Sequence, residues 1–269
     1  MRRLAAAPPT DLASAAGKAA VFAFDAVLIA LFLLRFHLVP FMPGLAALTG
    51  GLAVALLALA LAVAAFVAIW RKGVRGFGRA VVAFSLALLM LAPAAFAAAL
   101  ALSVPEIVDI STDVVDPPAL SFAARVRPPD ANPAAYDPAN IARQHEAFPQ
   151  IRSMLVDLPA DDMRKLVLRL VRDRRWQIVG DIRLAETAAR VRLPDIAPMD
   201  RIEAVAASTL FGTIDDIAIR IRTEDGKSRI DMRSAARFGA FDFGVNAGRV
   251  ERFMADLRDL ALLPDQASQ

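Results

Sequence analysis

The stretch that decides the fold is "DDIAIRIRTEDGKSRIDMRS", Asp215 to Ser234, in which two runs of alternating apolar and polar residues flank an Asp-Gly pair. Such a pair between alternating runs predicts a β-hairpin with a two-residue type I′ turn. If Asp225 and Gly226 are the turn residues, Glu224 faces Lys227 and the register of the whole hairpin follows. One face of the hairpin is then apolar, and the other carries mostly Arg and Asp.

This register also assigns cross-strand partners. Asp216 lies diagonal to Arg233, within reach of that long side chain. The predicted pairs are Ile221–Ile230 and Ile219–Met232 on the apolar side, and Arg220–Asp231, Arg222–Arg229 and Ala218–Arg233 on the charged side.

The segments around the hairpin predict helices and further strands. "LPADDMRKLVLRLVRDRR" (158–175) and "GVNAGRVERFMADLRDLALL" (244–263) each place apolar residues on one helical stripe. "WQIV" (176–179) and "RIEAVAAS" (201–208) have the pattern of strands. The predicted class is α+β: a two-layer α/β domain with an antiparallel sheet packed against helices. The predicted stripes are Met163, Leu166, Val167, Leu170 and Val171 in the first helix, and Val250, Phe253, Met254, Leu257 and Leu260 in the last.

The N-terminal part of the chain is far more apolar than this domain. The 269 residues are 57% hydrophobic, with a mean hydropathy of +0.48, which indicates membrane segments. A three-helix transmembrane region is predicted over residues 1–104, with spans at about 19–41, 45–70 and 80–103. Residues 105–133 are predicted to be an extended proline-rich tether, able to pack along the domain, and 134–269 the soluble domain. Small residues in "LTGGLAVA" (48–55) favour close packing with a membrane partner or a second copy.

The distribution of charge predicts the orientation in the membrane. Residues 1–104 have a net charge of +6 from eight basic and two acidic residues, whereas the remainder has 23 basic and 26 acidic residues. Arg71, Lys72, Arg75 and Arg79 lie between spans two and three, and no Lys or Arg follows span three directly. The prediction is a multi-pass protein of the bacterial inner membrane with its N-terminus in the cytoplasm and its C-terminal domain in the periplasm. The expected partners are the lipid bilayer and an envelope or membrane protein, and not nucleic acid.

Several pieces of the C-terminal sequence resemble one family. They are "DISTDVVDPPAL", "RIEAV", "FGTIDDIAIRI", "DMRSAARFG" and "DFGVNAGRV". Together they resemble the DUF1499 family, a domain of unknown function, over roughly residues 106–260. The resemblance implies the α+β fold and no known reaction, and family members often have hydrophobic spans ahead of the domain. This chain departs from the family at Leu210, where an aromatic residue is usual, and in its longer connection at 181–200.

The charged face of the predicted sheet is the first candidate site. Arginine suits bidentate contacts with a carboxylate or phosphate, so this face could bind an anionic head group, a peptide or a saccharide. The alternative is a solvated face whose opposite charges neutralise one another. The candidate residues are Glu203, Asp216, Arg220, Asp231, Arg233 and Arg237.

The second candidate is "FGAFDFGVNAGRV" (238–250), where Asp242, Asn246 and Arg249 lie near the start of the last helix. The free N–H groups of a helix N-terminus favour anions. The alternative is a strand-to-helix turn in which Asp242 serves as the N-cap.

Asp25 is the third candidate, because a carboxylate within a membrane span suggests a proton relay or a polar partner contact. The alternative is satisfaction by water or by Lys18 near the cytoplasmic end.

Catalytic and metal-binding patterns are weak throughout. The chain has no cysteine, and its two histidines, His37 and His145, belong to no metal or nucleophile motif. No catalytic residue, metal or cofactor is therefore expected. The favoured hypothesis is a non-enzymatic membrane protein whose periplasmic domain binds or scaffolds an envelope component. The alternatives are an enzyme acting on an envelope lipid or polysaccharide, and a transporter accessory subunit using Asp25.

Overall fold

The computed structural model describes residues 10–183, 199–208 and 212–262. It divides into two compact units, with the boundary between Leu102 and Ser103.

The first unit consists of three long helices: α1 (Asp11–Arg35), α2 (Phe41–Lys72) and α3 (Phe77–Ala101). Each is long and apolar enough to cross a membrane, which agrees with the three predicted spans. The first helix begins before position 19 and ends before position 41, because a turn at residues 36–39 separates it from α2. Hydropathy marks the apolar centre of a helix, and the helical hydrogen bonds continue into its polar flank.

The three helices pack through small side chains. Their buried positions recur at alternating steps of three and four residues, the spacing of a helix–helix seam, and alanine dominates them. Gly51 of α2 meets α1 so closely that an added Cβ would lie 2.9 Å from Cγ2 of Val27. The stretch 48–55 therefore places its buried small residues inside the bundle, whereas Gly50 next to them faces open space.

The described part of the second unit contains a six-stranded antiparallel sheet. The strand order is β1-β6-β5-β4-β3, and β2 pairs with β6 beside β1. Three helices of eight residues or more and one short helix accompany the sheet. The strands are β1 (Asp109–Ser111), β2 (Met154–Val156), β3 (Gln177–Arg183), β4 (Met199–Ala207), β5 (Ile214–Glu224) and β6 (Lys227–Ala236). The helices are α4 (Ser121–Arg125), α5 (Asn140–Ala147), α6 (Ala160–Asp173) and α7 (Val245–Ala261).

The predicted hairpin and its register are confirmed. All the predicted cross-strand pairs between β5 and β6 are present, from Glu224–Lys227 to Ala218–Arg233. Asp225 and Gly226 have φ of 49° and 78°, the two left-handed residues that a type I′ turn requires.

The core lies between the apolar face of the sheet and helices α6 and α7. All five predicted apolar residues of α6 are buried, as are four of the five in α7, and Leu260 packs against the same core. Trp176 stacks on Phe253 at 5.4 Å between ring centroids, so the tryptophan reports on this core. The predicted α+β class and the antiparallel sheet packed against helices are confirmed.

Residues 105–133, predicted as a tether, lie on the domain itself. They contribute strand β1 at the edge of the sheet and the short helix α4. We call residues 112–137, which lie over the charged face of the sheet, the covering segment. The strand count of the connection around 183–200 and the departure at Leu210 fall largely outside the described residues.

Candidate functional site

The charged sheet face is buried. Its six candidate residues are at most 5% exposed. Each of them contacts the covering segment, strand β1 or a charged neighbour on the sheet. The arrangement is therefore neither an open ligand surface nor a ladder in contact with water.

Arg220 forms the centre of the first charge cluster. Its Nε donates to Asp231 at 2.9 Å, as the hairpin register predicts, and its Nη1 donates to Asp116 of the covering segment at 2.8 Å. Asp231 is also bonded to Arg222 at 2.8 Å and to the Ser153 hydroxyl at 2.6 Å. Donors therefore surround the Asp231 carboxylate, and the cluster needs no ligand to balance it.

Asp113 extends this cluster from the covering segment. Burial opposes its ionisation, but the N–H groups of Asp116 and Val115 and the charges of Arg229 and Arg220 outweigh burial, so the pKa of Asp113 lies below its ordinary value. These two N–H groups donate to Oδ1 of Asp113, which is an Asx turn. Asp113 thus stays charged and bridges Arg222 and Arg229, two like charges that face each other across the hairpin.

Asp216 forms a second cluster with two arginines. It accepts from Nη2 of Arg237 at 2.6 Å and from Nε of Arg127, in the covering segment, also at 2.6 Å. Asp216 faces Ala235 across the hairpin, so Arg233 and Arg237 both lie diagonal to it. Of these two diagonal arginines, Arg237 bonds to Asp216, whereas Arg233 bonds to the carboxylate of Asp109.

Arg233 binds Asp109 of β1 in a bidentate pair, with distances of 2.9 and 2.6 Å. It also donates to the carbonyl of Ala134 at 2.9 Å and lies over the ring of Tyr136, 5.3 Å from its centroid. Burial is the main reason that the pKa of Tyr136 rises to about 12, so the phenol remains neutral. Arg233 therefore joins the edge strand β1 to the C-terminal end of the covering segment.

Glu203 holds the short helix α4. Its carboxylate accepts the N–H groups of Ser121, Phe122 and Ala123 at 2.9, 2.8 and 3.0 Å. These are unpaired donors at a helix start, which a carboxylate satisfies. The side chain is fully buried and is used for structure within the domain.

One part of this face remains accessible, near the hairpin turn. A pocket of about 390 Å³ opens there beside Arg229, whose side chain is 31% exposed. Arg152 lines it and donates through Nε to the carbonyl of Pro149 at 2.9 Å, and its terminal nitrogens have no partner among the described residues. The other lining residues are Thr112, Ser153, Met154, Leu155 and Glu224.

The second candidate group is internally bonded at the start of α7. Asp242 accepts the N–H groups of Gly244 and Asn246 at 2.9 and 2.8 Å. The N-cap residue is Gly244, and the Asp242 carboxylate, two residues earlier, satisfies the free N–H groups of the helix start. Arg249 pairs with Asp215 at 2.6 Å. Burial raises the pKa of Asp215 despite Arg249, and it raises the pKa of Asp242 despite the N–H donors. Asn246 bonds to the hydroxyl of Ser234.

Asp25 lies in the first unit, on an exposed side of α1. It lines a groove of about 680 Å³ between α1 and α3 together with Lys18 and Arg79. Lys18 and Asp25 do not form an ion pair. A proton relay or partner contact at Asp25 stays a prediction.

Sequence reasoning identified the sheet side of the charged clusters and missed their partners. Asp109, Asp113, Asp116, Arg127 and Tyr136 all come from the N-terminal part of the domain. The signal that could have found them is the acid-rich run "DISTDVVD" (109–116), whose negative charges match the excess of arginine on the charged face of the hairpin.

The fold and site define a class of protein: three apolar helices able to span a membrane, followed by an α+β domain whose sheet carries a covered layer of buried ion pairs. A family profile described as a protein of unknown function, DUF1499, matches residues 109–257, more than half of the chain. The chain belongs to this family, which confirms the resemblance seen in its sequence. No curated protein and no solved structure matches it.

Proposed function

We propose that this protein resides in the bacterial inner membrane and presents its DUF1499 domain in the periplasm, where the domain binds an anionic group of an envelope component without catalysing a reaction. The basic residues at 71–79, around the turn from α2 to α3, support this orientation, because basic connections between spans stay in the cytoplasm. With three spans, the end of α3 then lies on the opposite side from the N-terminus.

The pocket beside Arg152 and Arg229 is the observation that carries the binding role. Its volume lies within the range of small-ligand sites. Arg152 offers a guanidinium edge for a bidentate contact with a carboxylate or phosphate, while Leu155 supplies an apolar wall. Asp216, Arg220 and Arg233 have no chemical role in this proposal, because each is buried and bonded within the domain.

The orientation can be tested with reporters. Alkaline phosphatase fused after Gln269 is expected to be active, and a fluorescent protein that matures only in the cytoplasm is expected to stay dark at the same position. The matched control places the same reporters within the loop 73–76, where the pattern should reverse. A fusion after Gln269 that is active only in the cytoplasm would contradict the proposal.

Binding at the pocket can be tested by photo-cross-linking in cells. A photoreactive residue in place of Leu155, which is 55% exposed, is expected to capture a specific envelope component. Arg152→Ala should weaken capture by about tenfold or more, since it removes a charge-assisted contact. Arg258→Ala is the control, because it removes an equal charge from an exposed position of α7. Absence of any specific adduct, or equal losses in both variants, would count against this site.

A further inference from the structure

A loop rich in phenylalanine precedes helix α7. We call residues 238–245, which end on Val245, the first residue of α7, the aromatic loop. Phe241, Phe243 and Val245 are 39%, 41% and 44% exposed, a concentration of apolar surface within five residues. The only charged side chain of the loop is Asp242, whose carboxylate is bonded to two backbone N–H groups. The exposed part of the loop is therefore apolar.

The backbone holds this apolar surface in an unusual conformation. Phe243 has φ of +55°, a left-handed value that is uncommon for a bulky residue and costs free energy. Asp242 stabilises it by accepting the N–H groups on the far side of Phe243, from Gly244 and Asn246. Phe243 is consequently held outward by fixed hydrogen bonds, at a conformational cost that its own packing in the domain does not explain.

The loop lies where the chain enters the domain. The carbonyl of Val108 accepts the N–H of Ala236 at 2.8 Å and the side-chain amide of Asn246 at 3.1 Å. These two residues flank the aromatic loop. Val108 is seven residues beyond Ala101, the last residue of α3, a chain length that spans about 25 Å at full extension. The residues that flank the loop are thus bonded to a residue that at most about 25 Å of extended chain separates from the end of α3.

We propose that the aromatic loop inserts Phe241, Phe243 and Val245 into the interfacial region of the lipid bilayer on the side where α3 ends. Aromatic and other apolar side chains are stabilised at this depth, where the buried area supplies the binding free energy. The contact gives the domain a second attachment and a fixed orientation. This inference does not depend on the ligand pocket or on which side of the membrane the domain occupies.

The absence of cysteine from the chain makes a direct test possible. A single cysteine at Ala240, an exposed position of the loop, carries an environment-sensitive nitrobenzoxadiazole label in the full-length chain, with one chain in each phosphatidylcholine nanodisc. Iodide in the buffer is expected to quench this label severalfold less than the same label at Leu155, and nitroxide-bearing lipids should quench it more. Leu155 is a distant control position, because it pairs with Arg229, and Arg229 lies about 23 Å along β6 from Ala236, beside the aromatic loop.

A double variant separates insertion from a merely exposed loop. Phe241→Asn with Phe243→Asn removes both rings and keeps a residue that tolerates the left-handed conformation, so the domain should remain folded. In a Trp70→Phe background, the fluorescence of Trp176 should be unchanged. The label at position 240 should then become as accessible to iodide as the label at 155. Leu155→Asn, a matched loss of exposed apolar surface, should leave it protected.

Three results would overturn the inference. The first is equal iodide quenching at positions 240 and 155 in the unmodified loop. The second is protection that persists in the double variant. The third is protection that appears only when a nanodisc holds two chains, which would identify a second copy as the occupant.

Discussion

Asp216→Ala is expected to destabilise the domain by about 3–5 kcal/mol, the cost of breaking a buried ion pair by removing one partner. Asp216 is fully buried, and its carboxylate is shared by Arg127 and Arg237. The variant leaves two guanidinium groups, whose side chains are 5% and 6% exposed, facing a small apolar side chain. Since Arg127 belongs to the covering segment, this segment should be released before the sheet unfolds.

Chemical unfolding of the full-length protein in detergent, in a Trp70→Phe background so that Trp176 is the only tryptophan, measures this effect by fluorescence. Glu224→Ala is the control: Glu224 is half exposed and pairs with Arg229 at 3.5 Å, so its loss should cost about 0–1 kcal/mol. Asp216→Asn should fall between the two, because an amide oxygen still accepts one hydrogen bond. If Asp216→Ala costs no more than Glu224→Ala, the buried cluster does not stabilise the domain.

Gly51→Leu is expected to disrupt the packing of α1 against α2. An added Cβ would lie 2.9 Å from Cγ2 of Val27 and 3.3 Å from its backbone nitrogen, and the backbone cannot move aside as a flexible side chain can. Overpacking of this kind costs about 1–3 kcal/mol in a well-packed interior. A leucine side chain adds three further carbons, so we expect the helices to separate rather than to adjust.

Gly50→Leu is a control of the same chemistry one residue away. An added Cβ at Gly50 meets no atom within 4 Å, so this variant should retain the wild-type melting behaviour. The measurement is size-exclusion chromatography of a fluorescent fusion in detergent after heating, which gives the temperature at which half of the monodisperse protein is lost. A lower temperature for Gly51→Leu alone is expected. Equal temperatures for the two variants would show that the close contact is unimportant.

The hairpin could be predicted in full because its information is local. The Asp-Gly turn and the period-two alternation fix the register over ten residue pairs, and a slip by one residue would turn the isoleucines toward the charged face. The helices α6 and α7 could be predicted equally well from the sequence, because their apolar stripes repeat at a helical period. In each case the neighbours that decide the structure lie within a few residues in sequence.

The partners of the charged residues could not be predicted for the opposite reason. Arg233 pairs with Asp109, 124 residues earlier, and Asp216 pairs with Arg127, 89 residues earlier. A proline-rich run of acids has the same local pattern whether it leads away from a domain or lies on it. The excess of arginine on one sheet face indicated only that another part of the chain must supply negative charge to it.

The covering segment also constrains how the protein is made. It leaves the ribosome directly after β1, yet its carboxylates Asp113 and Asp116 pair with arginines of β5 and β6, which are synthesised about a hundred residues later. These long loops must close, at a cost in chain entropy, before the ion pairs can form. The domain is therefore expected to fold late and slowly. During this interval the acidic residues remain hydrated. The covering segment is therefore expected to stay unstructured until β5 and β6 have been translated.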